Sequence, residues 1–135
     1  MYSVSTVSAE GWKNLSKGAH LATFGEIREN LDRVDFALLT SYKGELGGYF
    51  TIKEMDANTA YIQHGGVFDN FRNSYNVLKG FKATLDTLKV DYLRIWHRVE
   101  NTNIPMIKLS LSQGFIINGC SLVNSKLYLE MLLEV

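Results

Sequence analysis

The chain has 135 residues, 46% hydrophobic and 12% aromatic, with 14 Lys and Arg balanced by 14 Asp and Glu. That length and apolar content suffice for one domain with its own core, 1–135, stapled by neither disulfide nor metal. Zero net charge with dispersed basic residues excludes a protein whose affinity rests on neutralising nucleic-acid phosphates, and no apolar run is long enough to span a bilayer. The lone Cys120 allows no internal disulfide and suits a reducing compartment. Met1 to Glu10 has neither the basic start nor the apolar core of a signal peptide. The expectation is a cytoplasmic protein without nucleic-acid or membrane partners.

Ser3 to Val7 reads as a short strand, and Ser8 as the N-cap of a helix running towards Lys17, with Trp12 and Leu15 on one side. Gly11 and Gly18 weaken that helix. A second helical piece is expected from Ala19 to Leu31, carrying Leu21, Phe24, Ile27 and Leu31 at helical spacing and interrupted at Gly25. Asp35 to Tyr42 and Tyr49 to Lys53 read as the two strands of a hairpin, joined across the glycine-rich Lys43 to Gly48 by a bulged or longer turn. Glu54 to Asn58 is a second turn.

Ala60 to Leu88 organises the rest. Ala60 to Ile62 and Gly65 to Phe68 read as a strand broken by a glycine pair. Asp69 to Asn76 follows as a polar turn whose Asx and Ser side chains take up backbone N–H groups. The next helix repeats Val77, Phe81, Leu85 and Leu88 on one face, joined by Leu78. Strand, polar turn and helix in that order aim N–H groups and a helix N-terminus at an anion, often a phosphate. The same order also makes an ordinary βα connection with no ligand.

Tyr92 to Val99 alternates Leu93, Ile95, His97 and Val99 with Tyr92, Arg94, Trp96 and Arg98, a mostly apolar face against an amphipathic one. Asn101 to Asn103 steps into a short helix, Ile104 to Gln113, where Pro105 is tolerated in the first turn. Gly114 is placed for a left-handed C-cap, and Phe115 to Ile117 starts another strand. In Lys126 to Val135, Leu127, Leu129, Met131, Leu133 and Val135 share one face; the first four are predicted in the core, with Lys126 and Glu130 in solvent. The order β-α-α-β-β-β-α-β-α-β-β predicts a mixed α/β sheet with one strand–helix–strand crossover.

Two local patterns in this order resemble the GNAT superfamily of N-acetyltransferases. Val67, Phe71 and Arg72 keep positions of the family's Val-x-Pro-x-(Tyr/Phe)-Arg-x-x-Gly-x-(Gly/Ala) turn. Val99, Asn103, Leu109, Gly114 and Phe115 keep positions of its second run, with Met106 in an Ala slot and Ser110 in a Tyr slot. With the Lys43–Gly48 hairpin, the resemblance covers roughly Asp35 to the C-terminus. It implies a single-domain α/β fold, a mixed sheet with splayed parallel central strands and helices on both faces. The implied activity is transfer of an acetyl group from acetyl-coenzyme A to an amine of unknown substrate.

The resemblance also implies where coenzyme A lies: in the V between the strand through Ala60–Val67 and the strand Tyr92–Val99. Its pyrophosphate would sit over the start of the Asn76 helix, among Val67, Phe68, Arg72, Asn73, Ser74, Tyr75, Asn76 and Val77, with Asn103 on the pantetheine arm. The transfer needs a base for the ammonium, a donor for the oxyanion and a stabiliser for the thiolate. Backbone N–H groups around Gly66 to Phe68 are the expected oxyanion donors. His64 is the candidate base, and Ser110 stands where the family has a proton-donating tyrosine. Family members with a base on this strand use positions matching Gln63 and Tyr61; a bulge at Gly65–Gly66 would rephase the strand to serve His64.

Three departures bear on activity. Tyr75 and Val77 put a Cβ where the family has small residues, narrowing the approach to a phosphate; Tyr75 reads as a plug for that site, with stacking against a ligand as the alternative. The Ser110 hydroxyl is shorter and a far poorer acid than a phenol. These favour an alternative, a catalytically inactive binding or structural protein of acetyltransferase fold, such as occurs among bacteriophage-encoded relatives of the family. Elsewhere, His20, His64 and His97 lack metal-ligand spacing. Trp96 between Arg94 and Arg98 suggests a stacking surface, although an exposed sheet face explains it as well, and Cys120 reads as a small buried residue.

Overall fold

The computed structural model describes residues 2–27, 33–68 and 74–135. Its elements are β1 (Tyr2–Ser8), α1 (Ala9–Phe24), β2 (Phe36–Tyr42), β3 (Glu45–Asp56), β4 (Thr59–Val67), α2 (Ser74–Leu88), β5 (Arg94–Glu100), α3 (Ile104–Ser112), β6 (Ile116–Val123) and β7 (Lys126–Glu134). The strands form one sheet in the order β1-β2-β3-β4-β5-β7-β6. β4 and β5 pair in parallel from Thr59↔Arg94 to Ile62↔His97; the other neighbouring pairs are antiparallel. Beyond Ile62 and His97 the two parallel strands part, as the expected splay requires.

Helices cover both faces. On one, α2 buries Phe81, Leu85 and Leu88 against Leu38, Ile52, Ile62 and Ile95, and α3 adds Met106, Ile107 and Leu109 at the margin. Each fully buried α2 side chain contributes about 1.5–3 kcal/mol. On the other face, α1 lays Trp12 and Ala19 over Ala37 and Tyr49.

The N-terminal helical segment differs from the sequence expectation. α1 is continuous through Gly18 and ends at Gly25, a left-handed cap (φ 72°) whose N–H donates to the Leu21 carbonyl. Residues 28–31 of the expected second piece lie outside the described residues. The Ser8 hydroxyl caps the helix start, accepting from the Gly11 N–H at 3.1 Å. The buried stripe is Trp12, Ser16, Ala19 and His20, while Leu15 and Leu21 are 47% and 53% exposed. Close approach explains the choice. A Cβ on Gly66 of β4 would stand 2.3 Å from the Thr23 Oγ1 of α1, so this helix rests almost on the strand backbone. Small and polar residues fit that contact, and the larger aliphatic ones turn outward.

The β2–β3 turn is tight: Lys43 and Gly44 both have positive φ, and the extra residue is Gly47, bulged between the pairs Thr40↔Gly48 and Ser41↔Leu46. β3 therefore starts earlier and runs longer than Tyr49–Lys53. β4 is not broken at the glycine pair. It runs through Gly65 and Gly66, and its bulge lies at Gln63, between the pairs Thr51↔His64 and Ile52↔Ile62. After α3, Gly114 takes the expected positive φ, 95°.

β7 keeps its alternation, but burial fades towards its N-terminal end. Met131 and Leu133 are buried, Leu129 is partly buried, and Leu127 is 36% exposed because it sits beside the β6–β7 turn, at the far end from the buried cluster. Lys126 is exposed, while Glu130 is half-buried and faces Arg98. Cys120 lies exposed on the edge strand β6, not buried. Met131→Ala is expected to cost about 2–5 kcal/mol. Leu127→Ala should cost under about 1 kcal/mol. Urea melts yielding equal losses would show that the facing of β7 is misassigned.

Candidate functional site

Where β4 and β5 part, a cleft of about 260 Å³ opens on the face carrying α2 and α3. Gln63, Gly65 and His97 border it from the strands, Phe81 from α2, and Asn103 and Met106 from α3 and its cap. The backbone along β4 is oriented by its pairing with β3. The Phe68 N–H donates to the Gly47 carbonyl at 2.8 Å, so the alternating N–H of Gly66 also faces β3. The N–H groups of Gly65 and Val67 are directed to the opposite edge, towards the gap. Of the expected Gly66–Phe68 donors, only Val67 is aimed there, and Gly65 joins it.

His64 sits at the end of the cleft, but the Gln63 bulge turns its ring to the α1 face. Nδ1 shares a 2.7 Å hydrogen bond with Thr51 Oγ1, and the ring packs among Trp12, His20, Phe24 and Tyr49 at centroid distances of 5.5–6.3 Å. Nε2 is also shielded from solvent. Strand rephasing thus occurs, one bulge earlier than the glycine pair, and places His64 in a packed cluster.

Ser110 is fully buried, and its hydroxyl lies 2.8 Å from His97 Nε2. His97 Nδ1 faces the Arg98 carbonyl at 3.4 Å; a carbonyl only accepts, so Nδ1 carries the proton and Nε2 accepts from Ser110. Asn103 borders the cleft and caps α3, accepting from the Met106 N–H through Oδ1. At the start of α2, the Asn76 side chain accepts from the Tyr2 hydroxyl of β1. Val77 is half-buried beside Tyr2 and Val67 around an enclosed space of about 10 Å³. The Phe68 ring packs 6.1 Å from Tyr49 on the α1 side. Tyr75 is 62% exposed under the Lys79 ammonium, so it plugs no interior space. Ser74 is the first residue of α2, and Arg72 and Asn73 lie outside the described residues.

No family model matches this sequence, and neither does any curated protein. Solved structures do match in shape. The chain superposes along its full length on 94% of the ribosomal-protein-S18-alanine N-acetyltransferase of Escherichia coli, with a TM-score of 0.78 and 13% identity. An IAA acetyltransferase from Bacillus cereus is covered end to end, with a TM-score of 0.75 and 13% identity. A GNAT family acetyltransferase from Elizabethkingia anophelis, solved with acetyl-CoA bound, is similar over 99% of this chain and 98% of its own, with a TM-score of 0.73 and 15% identity. The fold is the GNAT fold. At these identities the likeness is one of architecture.

Two cleft residues escaped sequence reasoning. Gln63 is prominent only because of its bulge: its Oε1 is buried and accepts no hydrogen bond among the described residues. His97 was legible as an inward position on β5; a trio of Ser110, His97 and Asp91 could be assembled from the sequence as from any chain of this size, and the structure brings its first two members together. Burial holds the His97 imidazole down to about 4, well below its usual value near 6.5, against the opposing pull of the Arg98 carbonyl. The unfolded chain therefore binds a proton between pH 6.5 and 4 that the folded chain refuses. This contribution is complete above pH 6.5 and lost as pH falls towards 4, about 3 kcal/mol in all. His97→Gln should flatten that part of the stability profile in urea melts; an unchanged acid slope would refute the assignment.

Proposed function

We propose that this protein transfers an acetyl group from acetyl-coenzyme A to an amine. The observation that carries the reading is the cleft between β4 and β5, with strand-edge N–H groups directed into it and the unpartnered Gln63 Oε1 beside it. A pantetheine arm presents amide N–H and C=O groups along an extended chain, which is what an open strand edge pairs with. In this reading the Gly65 N–H faces the pantetheine and the thioester oxygen, Gln63 accepts from a pantetheine amide, and Asn103 donates through its amide nitrogen. The pyrophosphate lies at the N-terminus of α2, where the backbone of Ser74 to Val77 meets it at the positive end of the helix dipole.

The free amine nitrogen attacks the thioester carbon, the C–N bond forms, and the oxyanion collapses with cleavage of C–S. The nitrogen releases its extra proton to solvent, and the departing thiolate takes one up from solvent. His64 serves as base only by turning out of its aromatic cluster, and Ser110 acts by fixing His97 against the cleft. A second reading, binding without transfer, is favoured by the enclosure of the Ser110 hydroxyl against His97.

Titration calorimetry with acetyl-coenzyme A and free coenzyme A, followed by thiol release with added amines, separates these readings. Binding with release is expected, and Gln63→Ala should weaken binding about tenfold by removing one buried acceptor. Binding without thiol release leaves the second reading. No binding at millimolar cofactor removes both.

A further inference from the structure

The opposite face of the sheet carries a second arrangement of side chains at the same point in the fold. Tyr61 and Trp96 stack at 4.2 Å with an interplanar angle of 21°, one pair short of the last β4–β5 partners. One residue beyond those partners, Arg98 shares that face. Its guanidinium carbon lies 5.7 Å from the Trp96 ring centroid, and Nη2 is 3.7 Å from the carboxylate of its cross-strand partner Glu130. A hollow of about 240 Å³ adjoins them, bordered by Trp96, Asn118, Glu130 and Leu132.

Two irregularities in β6 build this hollow. The register shift between Ile117 and Gly119 makes Asn118 the bulged residue beside it. Gly119 then leaves room for the Glu130 carboxylate, whose Oε2 would be 3.2 Å from any Cβ there. α1 packs chiefly over β1, β2 and β4, to one side of this part of the sheet.

From this geometry we infer that the hollow is the amine subsite, and that its ligand is a primary alkylammonium group seated between the Trp96 ring and the Glu130 carboxylate. An electron-rich ring face beside a carboxylate selects a cation. The protein already places one there, the Arg98 guanidinium. Its hold is loose: the ion pair is long, and the two side chains are 41% and 30% exposed, so the pair contributes little and yields to a better-fitting cation. Arg98 is thus the resident competitor at the subsite. Trp96 lies one pair before the point where β4 and β5 part, which sets the anchored ammonium beside the gap where a second amine would react. The inference rests on the proposed acetyl transfer, because that reaction gives the amine its purpose.

Binding is measured without cofactor, so its failure is distinguishable from failure of the transfer reading. Trp12 is 1% exposed and Trp96 is half-buried, so added solute is read by Trp96 fluorescence, with Trp96→Phe as the blank. At constant ionic strength, 1,4-diaminobutane should change the emission saturably, whereas n-butanol should not. Glu130→Gln should weaken the diamine response at least tenfold, and Arg98→Ala should strengthen it several-fold. Nα-acetyl-lysine methylamide distinguishes the two sources of the same chemistry: a response equal to that of the diamine assigns the subsite to lysine side chains, and a weaker one to free polyamines. An equal n-butanol response, an unaltered Glu130→Gln response, or weaker binding by Arg98→Ala would overturn the inference. Calorimetric binding of acetyl-coenzyme A should be unchanged in Glu130→Gln; if it persists while the diamine never binds, only the subsite is lost.

Discussion

The structure depends on a pairing that stops. β4 and β5 are joined by four residue pairs and then separate, and the parting creates a cleft without any insertion. The cause lies on β4. The Gln63 bulge raises the local twist, and beyond it the strand is held against β3 by Gly65 and Gly66. These residues are gripped from both faces: a Cβ on Gly65 would lie 2.4 Å from the Phe50 ring, and one on Gly66 2.3 Å from Thr23. β4 cannot follow β3 and remain beside β5. Beyond Ile62 its far edge leaves the ladder with β5 and borders the cleft.

The element sequence was legible because period and punctuation agreed. α2 repeats its apolar residues at helical spacing, β7 alternates, and Ser8 and Gly114 mark helix ends by chemistry that local sequence controls. Side-chain direction was less legible. α1 carries aliphatic residues at helical spacing on the face that turns out, because the opposing strand surface is bare glycine and admits only small or flat neighbours. A bulge has no sequence signature of its own, so neither the turning of His64 nor the burial of the Gln63 amide beside the cleft could be read before the register was known. The cleft follows from the resemblance, whereas the contents of the cleft follow from three-dimensional packing.

The His97–Ser110 pair shows how one substitution recruits another. A serine at a position facing an apolar interior leaves a hydroxyl that must find a partner. His97 supplies it from β5, flanked by Phe81 and Phe115 in edge-on contacts with centroids at 6.1 and 5.0 Å. The imidazole stays neutral in such surroundings, so the pair is a polar hinge-pin between β5 and α3 and not a store of protons. Any role in chemistry runs through its shape.

The hydrogen bond from Tyr2 to Asn76 joins residues 74 positions apart, tying the outermost strand to the first turn of α2. Its consequence concerns the order of assembly. The β2–β3–β4 meander closes over short loops, whereas docking α2 beneath β1 must wait until that meander spans the gap. Until then the start of the helix and β1 lack a common anchor. The first turn of α2 is therefore expected to be among the last regions to gain protection during folding, and among the first to exchange its amide hydrogens.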